Sequence, residues 1–205
     1  MTPEQMVQRS IALRPDLAAV AAAVPPGARV LDIGCGDGAL LAWLRDTKSV
    51  EGRGIELEPG KVAAAVSRGL AVVQGDAATD LPDYPDAAFD VAILSNTLQA
   101  MAQPAAVLLE LVRVARRAVI SFPNFGHWRV RASLAFGGRM PVTQSLPVSW
   151  HETSNIHFCT VDDFRALAAD LGLKVESQAF LSGGVRRGAL LANLMAEQAV
   201  FVLAR

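Results

Sequence analysis

The chain has 205 residues, 52% of them hydrophobic and 19% charged, so enough apolar surface exists to offset chain entropy, and intrinsic disorder is excluded. Nineteen Lys and Arg against 20 Asp and Glu give a net charge of −1, which excludes a wholesale electrostatic nucleic-acid binder. The longest uncharged, fairly apolar stretch, residues 91–109, holds Ser95, Asn96, Thr97, Gln99, Gln103 and Pro104, which excludes a bilayer-spanning helix there.

Residues 4–23 are helical in pattern, interrupted at Pro15 and stopped before Pro25 and Pro26. Residues 28–33 (ARVLDI) form a short buried strand that runs into Gly34, and residues 39–45 form a helix. A second strand follows at 52–57, a helix at 61–68 and a third strand at 70–74. Residues 89–94 (FDVAIL) make a nearly continuous apolar strand. Val107, Leu111 and Val114 mark one face of a helix at 105–115, and 117–122 (RAVISF) is the fifth strand. A helix at 161–171 is stopped by Gly172. Strands at 173–180 and 199–203 are joined by a connection that begins Gly- and Arg-rich at 182–188. Alternating strands and helices, with strands apolar on both faces, predict a doubly wound α/β fold with a mostly parallel seven-stranded sheet and right-handed crossovers. Cys35 and Cys159 are too few for a disulfide framework, and no basic-then-apolar leader opens the chain. A single cytoplasmic domain spanning 1–205 is therefore expected.

One segment breaks the alternation. Residues 123–160 are rich in Pro, Gly and aromatics and contain all three histidines, His127, His151 and His157. So long a stretch between a strand and a helix is more often functional than a bare connection. It is an elaboration inserted after the fifth strand.

The sharpest local signal is the run Val30-Leu31-Asp32-Ile33-Gly34-Cys35-Gly36-Asp37-Gly38. Glycines spaced two apart after a strand let a ligand approach the backbone closely, and that position is where doubly wound sheets bind ligands. Glu56 ends the second strand, placed to accept from both hydroxyls of a ribose. Asp76 ends the third, placed to accept from an adenine amino group. Dinucleotide sites use G-x-G-x-x-G around a pyrophosphate, which Asp32 and Asp37 would repel. The D-x-G-x-G-x-G pattern instead suits a ligand carrying an ammonium and a sulfonium. In this respect the chain resembles the class I S-adenosylmethionine-dependent methyltransferase fold. The expected cofactor-binding set is Asp32, Gly34, Cys35, Gly36, Glu56, Leu57, Asp76, Ala77 and Ser95.

Four further runs are more specific: SNTLQA (95–100), SFPNFGHWRVR (121–131), GRMPVT (138–143) and NIHFCT (155–160). Together they resemble the methionine biosynthesis protein MetW family over nearly the whole chain beyond the first twelve or so residues. The resemblance implies a methyltransferase fold, S-adenosylmethionine or S-adenosylhomocysteine as cofactor, and a partner in homoserine O-acyltransferase. It implies no firmly assigned methyl acceptor.

No catalytic residue stands out. The fourth strand delivers Ser95, Asn96 and Gln99 to the ligand edge, and no Asp/Asn-Pro-Pro-aromatic run follows, which removes the amino-methylating DNA enzymes. Where many small-molecule methyltransferases carry a His, this chain has Leu98-Gln99-Ala100, and an amide is no base. His127, His151, Glu152 and His157 are each more often hydrogen-bonded structural residues. His151 and His157 lie six apart, not at the i, i+4 spacing of the helical zinc motif, so no metal is expected.

Charge is distributed unevenly. Residues 111–151 contain no Asp, Glu or Lys but six Arg, which leaves 13 basic against 20 acidic residues elsewhere. Within the elaboration, Trp128, Arg129, Arg131 and Arg139 combine aromatic and forked basic side chains, the composition of interface hot spots, and are the expected partner surface. No recognised RNA-binding motif accompanies them, and self-association stays open. Two functions fit: a cofactor-binding partner that supports or regulates homoserine acylation, and a methyltransferase acting on a small metabolite.

Overall fold

In the computed structural model, which describes residues 13–143 and 146–205, five strands lie parallel in the order β3-β2-β1-β4-β5. They are β1 (Arg29–Ile33), β2 (Glu51–Glu56), β3 (Ala71–Gln74), β4 (Phe89–Ser95) and β5 (Ala115–Pro123). Beyond β5 the sheet continues antiparallel as β8 (Gln198–Ala204), β6 (Lys174–Ser182) and β7 (Val185–Arg187). Strand order therefore reverses beside β1, and the crevice at its carboxyl end is a topological switch point.

Among the described residues the sheet has eight strands, where seven are expected from sequence. Gly183 and Gly184, with φ of +58° and +75°, turn the chain back so that β7 pairs with the end of β6. All three β7 residues are exposed, so no buried alternation marks them in the sequence.

Helices cover both faces. On one side lie α1 (Pro15–Ala22), α2 (Ala39–Lys48) and α3 (Pro59–Ser67). Their Val20, Leu41, Leu44 and Ala65 pack with Val30, Val91 and Val119 of the strands. On the other lie α4 (Ala77–Asp80), α5 (Pro104–Val114) and, later in the chain, α7 (Val161–Asp170), packed on Leu31, Ile33, Leu94 and Phe122. Neighbouring residues such as Val30 and Leu31 thus enter opposite cores, which is why the strands are apolar runs without polar alternation. Helix α1 begins at Pro15, where proline's fixed φ suits the first turn; the part of the expected N-terminal helix before residue 13 lies outside the described residues.

The elaboration contains a helix that sequence periodicity does not reveal, α6 (Trp128–Gly137), in which only Val130 is buried. Its apolar and basic residues are scattered around the axis, so no stripe marks it. Two anchors bring the elaboration back to the sheet edge. Asn124, 1% exposed, donates from Nδ2 to the carbonyls of Asn193 and Ala196, while its Oδ1 accepts from the N–H groups of Gly126 and Val161. The Gln99 carbonyl, just past β4, accepts from Ile156 and His157 at 2.8 and 3.0 Å. The short helix α8 (Ala192–Met195) then leads into β8.

Candidate functional site

The glycine turn is held by the adjacent strand. Gly34 and Cys35 donate to the Ile55 carbonyl of β2 at 2.8 and 3.3 Å. Gly34 has φ +68°, and a Cβ there would come within 2.6 Å of the Thr97 Oγ1, so both backbone angle and space require glycine. Gly36 has φ +59°, and among the described residues nothing lies within 4 Å of where its Cβ would stand. The turn is therefore packed behind Gly34 and open in front of Gly36.

A cavity of about 350 Å³ opens in front of it. Asp32, Gly34, Cys35, Gly36 and Ser95 line it, with Arg14 and Leu17 of the N-terminal segment on the far wall. Five of the nine expected cofactor residues meet in this one cavity. Glu56 stands behind it: its Oε2 accepts from Gly36 N–H at 2.8 Å and its Oε1 from Glu58 N–H at 3.0 Å. A carboxylate has about four lone-pair sites, so the clamp leaves capacity for two further donors. Leu57 is 66% exposed next to it. Asp76 and Ala77 sit one strand further out and do not line the cavity. Asp76 is exposed and caps α4 by accepting from Ala78 N–H at 2.9 Å.

The acids differ in their surroundings. Asp32 is 2% exposed, and burial, reinforced by the charge of Glu56, raises its pKa to about 8. Asp37 is spent locally, pairing with Arg68 at 2.6 Å and accepting from Ala39 N–H. The Cys35 thiol is pushed up to about 12, chiefly by burial and then by Asp32, so it is no nucleophile near neutral pH. Ser95 shares a hydrogen bond of 2.9 Å with Ser121.

Sequence reasoning brings Asn96 to this edge but misses the partners it finds at the mouth. Asn96 follows β4 with φ +54°, and its Nδ2 donates to Asp16 Oδ2 at 3.0 Å. Arg14 Nη2 pairs with the same oxygen at 2.8 Å. Asp16, a helix-start residue 80 positions from the Asn96 it joins in space, carries no local signal beyond following Arg14 and Pro15.

Of the remaining candidates, His127 is buried and caps α6, its Nδ1 accepting from Arg129 N–H at 3.4 Å, and burial lowers its pKa. His151 and His157 are exposed, and among the described residues no group of three potential metal ligands comes together. Gln99 is 1% exposed, and among the described residues neither its side-chain nitrogen nor its oxygen has a hydrogen-bond partner.

The arginine-rich window divides in two. Arg113 pairs with Asp86 and Glu110, and Arg117 pairs with Glu176, all at the amino end of β5, away from the cavity. Arg129, Arg131 and Arg139 are exposed in the elaboration. Arg129 lies 5.3 Å above the Trp128 ring. Arg131 donates to the Gly126 carbonyl at 2.6 Å, which also braces the turn before α6. Phe136, 91% exposed beside them, carries no sequence signal that separates it from a core aromatic.

A model of the family described as "Methionine biosynthesis protein MetW" matches residues 14–203. The bifunctional methionine biosynthesis protein MetXA/MetW of Rhodopirellula baltica is 35% identical over 183 residues, 85% of this chain. The chain spans only 29% of that relative's length. Among solved structures, an S-adenosylmethionine-dependent methyltransferase from Mesorhizobium loti superposes with a TM-score of 0.69 at 17% identity, covering 93% of this chain and 98% of its own. One from Archaeoglobus fulgidus covers all of both chains with a TM-score of 0.68 at 14% identity. The α/β fold is the Rossmann-like one that these methyltransferases share.

Proposed function

The chain belongs to the methionine biosynthesis protein MetW family, and on that footing we propose that it is an S-adenosylmethionine-binding protein that partners homoserine O-acyltransferase and supports or regulates acylation. The observation that carries the cofactor half is the pairing of Asp32 and Glu56 around an open glycine turn. Glu56 keeps acceptor capacity for a ribose diol after its two backbone bonds, and the open side of Gly36 gives a ligand room against the main chain. Asp32, buried and close to Glu56, favours a positively charged occupant, which an ammonium and sulfonium provide and a pyrophosphate does not. S-adenosylmethionine or its demethylated product fits this donor set. Of the two, S-adenosylmethionine would bring an electrophilic methyl group; the protein's residues bind and orient it.

The partner half is supported by the Rhodopirellula relative, whose name joins a MetXA and a MetW part in one bifunctional protein. Trp128, Arg129 and Arg139, with Phe136 added from the structure, form the exposed aromatic and basic surface that such a partner would cover. Residues 123–160 are in this reading an elaboration within one domain, anchored beside the ligand edge through Asn124 and Gln99.

A thermal-shift titration tests the site. At about 100 times its dissociation constant a ligand adds about 2.7 kcal/mol. At about 2–4 °C per kcal/mol for a domain of this size, S-adenosylmethionine or S-adenosylhomocysteine raises the melting temperature by roughly 5–11 °C. Glu56→Gln, which retains one backbone acceptor and loses the charge, removes most of that rise. No shift with either compound sinks the reading.

A further inference from the structure

We propose that a second cavity, on the other side of Asn96, binds a small α-amino acid as its zwitterion. This cavity encloses about 480 Å³, within the roughly 300–1,000 Å³ of small-molecule sites. It lies between the end of β5, the start of β8 and the β6–β7 turn, and shares Arg14 and Asn96 with the glycine-turn cavity. The two spaces therefore meet at one residue pair. Asn96 holds its left-handed backbone while bonded to Asp16, and strain of this kind persists where the surroundings enforce it, most often at ligand sites.

Among the described residues, the charged side chains of this lining are Arg14, Asp16 and Glu197. Each acid commits one oxygen to the fold. Asp16 Oδ2 takes both Asn96 and Arg14, and Glu197 Oε2 accepts from Gly183 N–H at 2.8 Å. The other Glu197 oxygen pairs with Arg129 at 3.9 Å, within ion-pair reach though too long for a hydrogen bond, and that arginine side chain is 63% exposed. The acid side chains are only 7% and 19% exposed, so their charges sit in a poorly solvated wall. Counting Arg129, two acids face two arginines, so the wall is balanced in charge while offering both signs, which suits an occupant that carries both and no net charge. Arg14, with its side chain 69% exposed at the mouth, presents a planar fork suited to a carboxylate. Ammonium toward the acids and carboxylate toward Arg14 is the polarity of an α-amino acid. Asn155 and Gln198 supply neutral amides for a polar side chain. The site does not depend on what fills the glycine-turn cavity.

Calorimetric titration of the intact protein with a panel of L-α-amino acids, L-homoserine as the reference, tests the assignment. Aminopropanol, which lacks the carboxylate, and γ-hydroxybutyrate, which lacks the ammonium, are the matched controls. At least one amino acid of the panel is expected to bind, and each control to bind at least about tenfold more weakly than L-homoserine or not at all. Glu197→Gln keeps an acceptor for Gly183 and is expected to weaken the amino acid at least about tenfold while leaving S-adenosylhomocysteine binding unchanged. Failure of the whole panel to bind overturns the proposal. So does undiminished binding by Glu197→Gln, or a control that binds as tightly as its parent amino acid. The S-adenosylhomocysteine titration reports separately on the glycine-turn site, so failure of one reading is distinguishable from failure of the other.

Discussion

Asp32→Asn should make the ligand-free protein more stable and the ligand weaker. The Asp32 carboxyl is buried beside Glu56, and its pKa is raised from the ordinary 3.8 to about 8. A group whose folded pKa exceeds its unfolded one contributes fully below the unfolded value, and that contribution is lost as pH rises toward the folded value. Between 3.8 and pH 7 lie about three pH units at about 1.4 kcal/mol each, so ionisation available only to the unfolded chain costs the fold about 4 kcal/mol at pH 7. Asn keeps the shape and does not titrate. Its advantage is near zero at pH 4 and grows to about 4 kcal/mol at pH 7, a melting-temperature rise of about 8–16 °C. A cationic ligand reverses the preference, because it requires the ionised acid. Wild-type affinity for S-adenosylmethionine should then climb up to tenfold per pH unit between about pH 6 and 8 and level off above, with proton release on binding. In Asp32→Asn the climb disappears and affinity falls at least about tenfold. Differential scanning fluorimetry at pH 5, 7 and 9, with titration calorimetry in two buffers of different ionisation enthalpy, measures both sides. A destabilised Asp32→Asn at pH 7, or wild-type affinity flat from pH 6 to 9, refutes the reasoning.

Reversing Arg129 and Arg139 to Glu should abolish co-purification with homoserine O-acyltransferase and leave the S-adenosylhomocysteine thermal shift intact. Wild-type recovery of the complex would reduce this surface to a solvated face. Arg131 is left out of that test because its bond to the Gly126 carbonyl also holds the turn before α6. If cofactor alters affinity for the acyltransferase by some factor, the acyltransferase must alter cofactor affinity by the same factor, typically about 5–150-fold. Equal cofactor affinities with and without the partner would rule out a sensor that couples the two. Gly34→Ala should cost stability, by about 1–2 kcal/mol for the left-handed backbone and more for the collision with Thr97, as read from urea denaturation. A midpoint equal to wild type would show that the turn is not held as described.

The linear order of residues determined the winding and the ligand edge. Strands buried on both faces have no choice but to be apolar runs, and a D-x-G-x-G-x-G turn after the first of them fixes the open end of the sheet. Asp32, Gly34, Cys35, Gly36 and Ser95 were legible for that reason: each is at or beside a strand terminus, and parallel strands bring their carboxyl ends to one edge. What lay beyond local pattern was decided by contacts distant in sequence. Strand β7 exists because two glycines fold it back on β6, with no buried side chain to announce it. Helix α6 is held by its cap and flanking anchors, with one buried residue in place of an apolar stripe. The Arg window is continuous in sequence, yet β5 carries its first half to the opposite edge of the sheet, where acids neutralise it. Asp16 and Asn96, 80 residues apart, become neighbours only when α1 packs across the ends of the strands. Burial there sets the charge balance of both cavities, and burial is a property of the assembled fold that no short run of residues encodes.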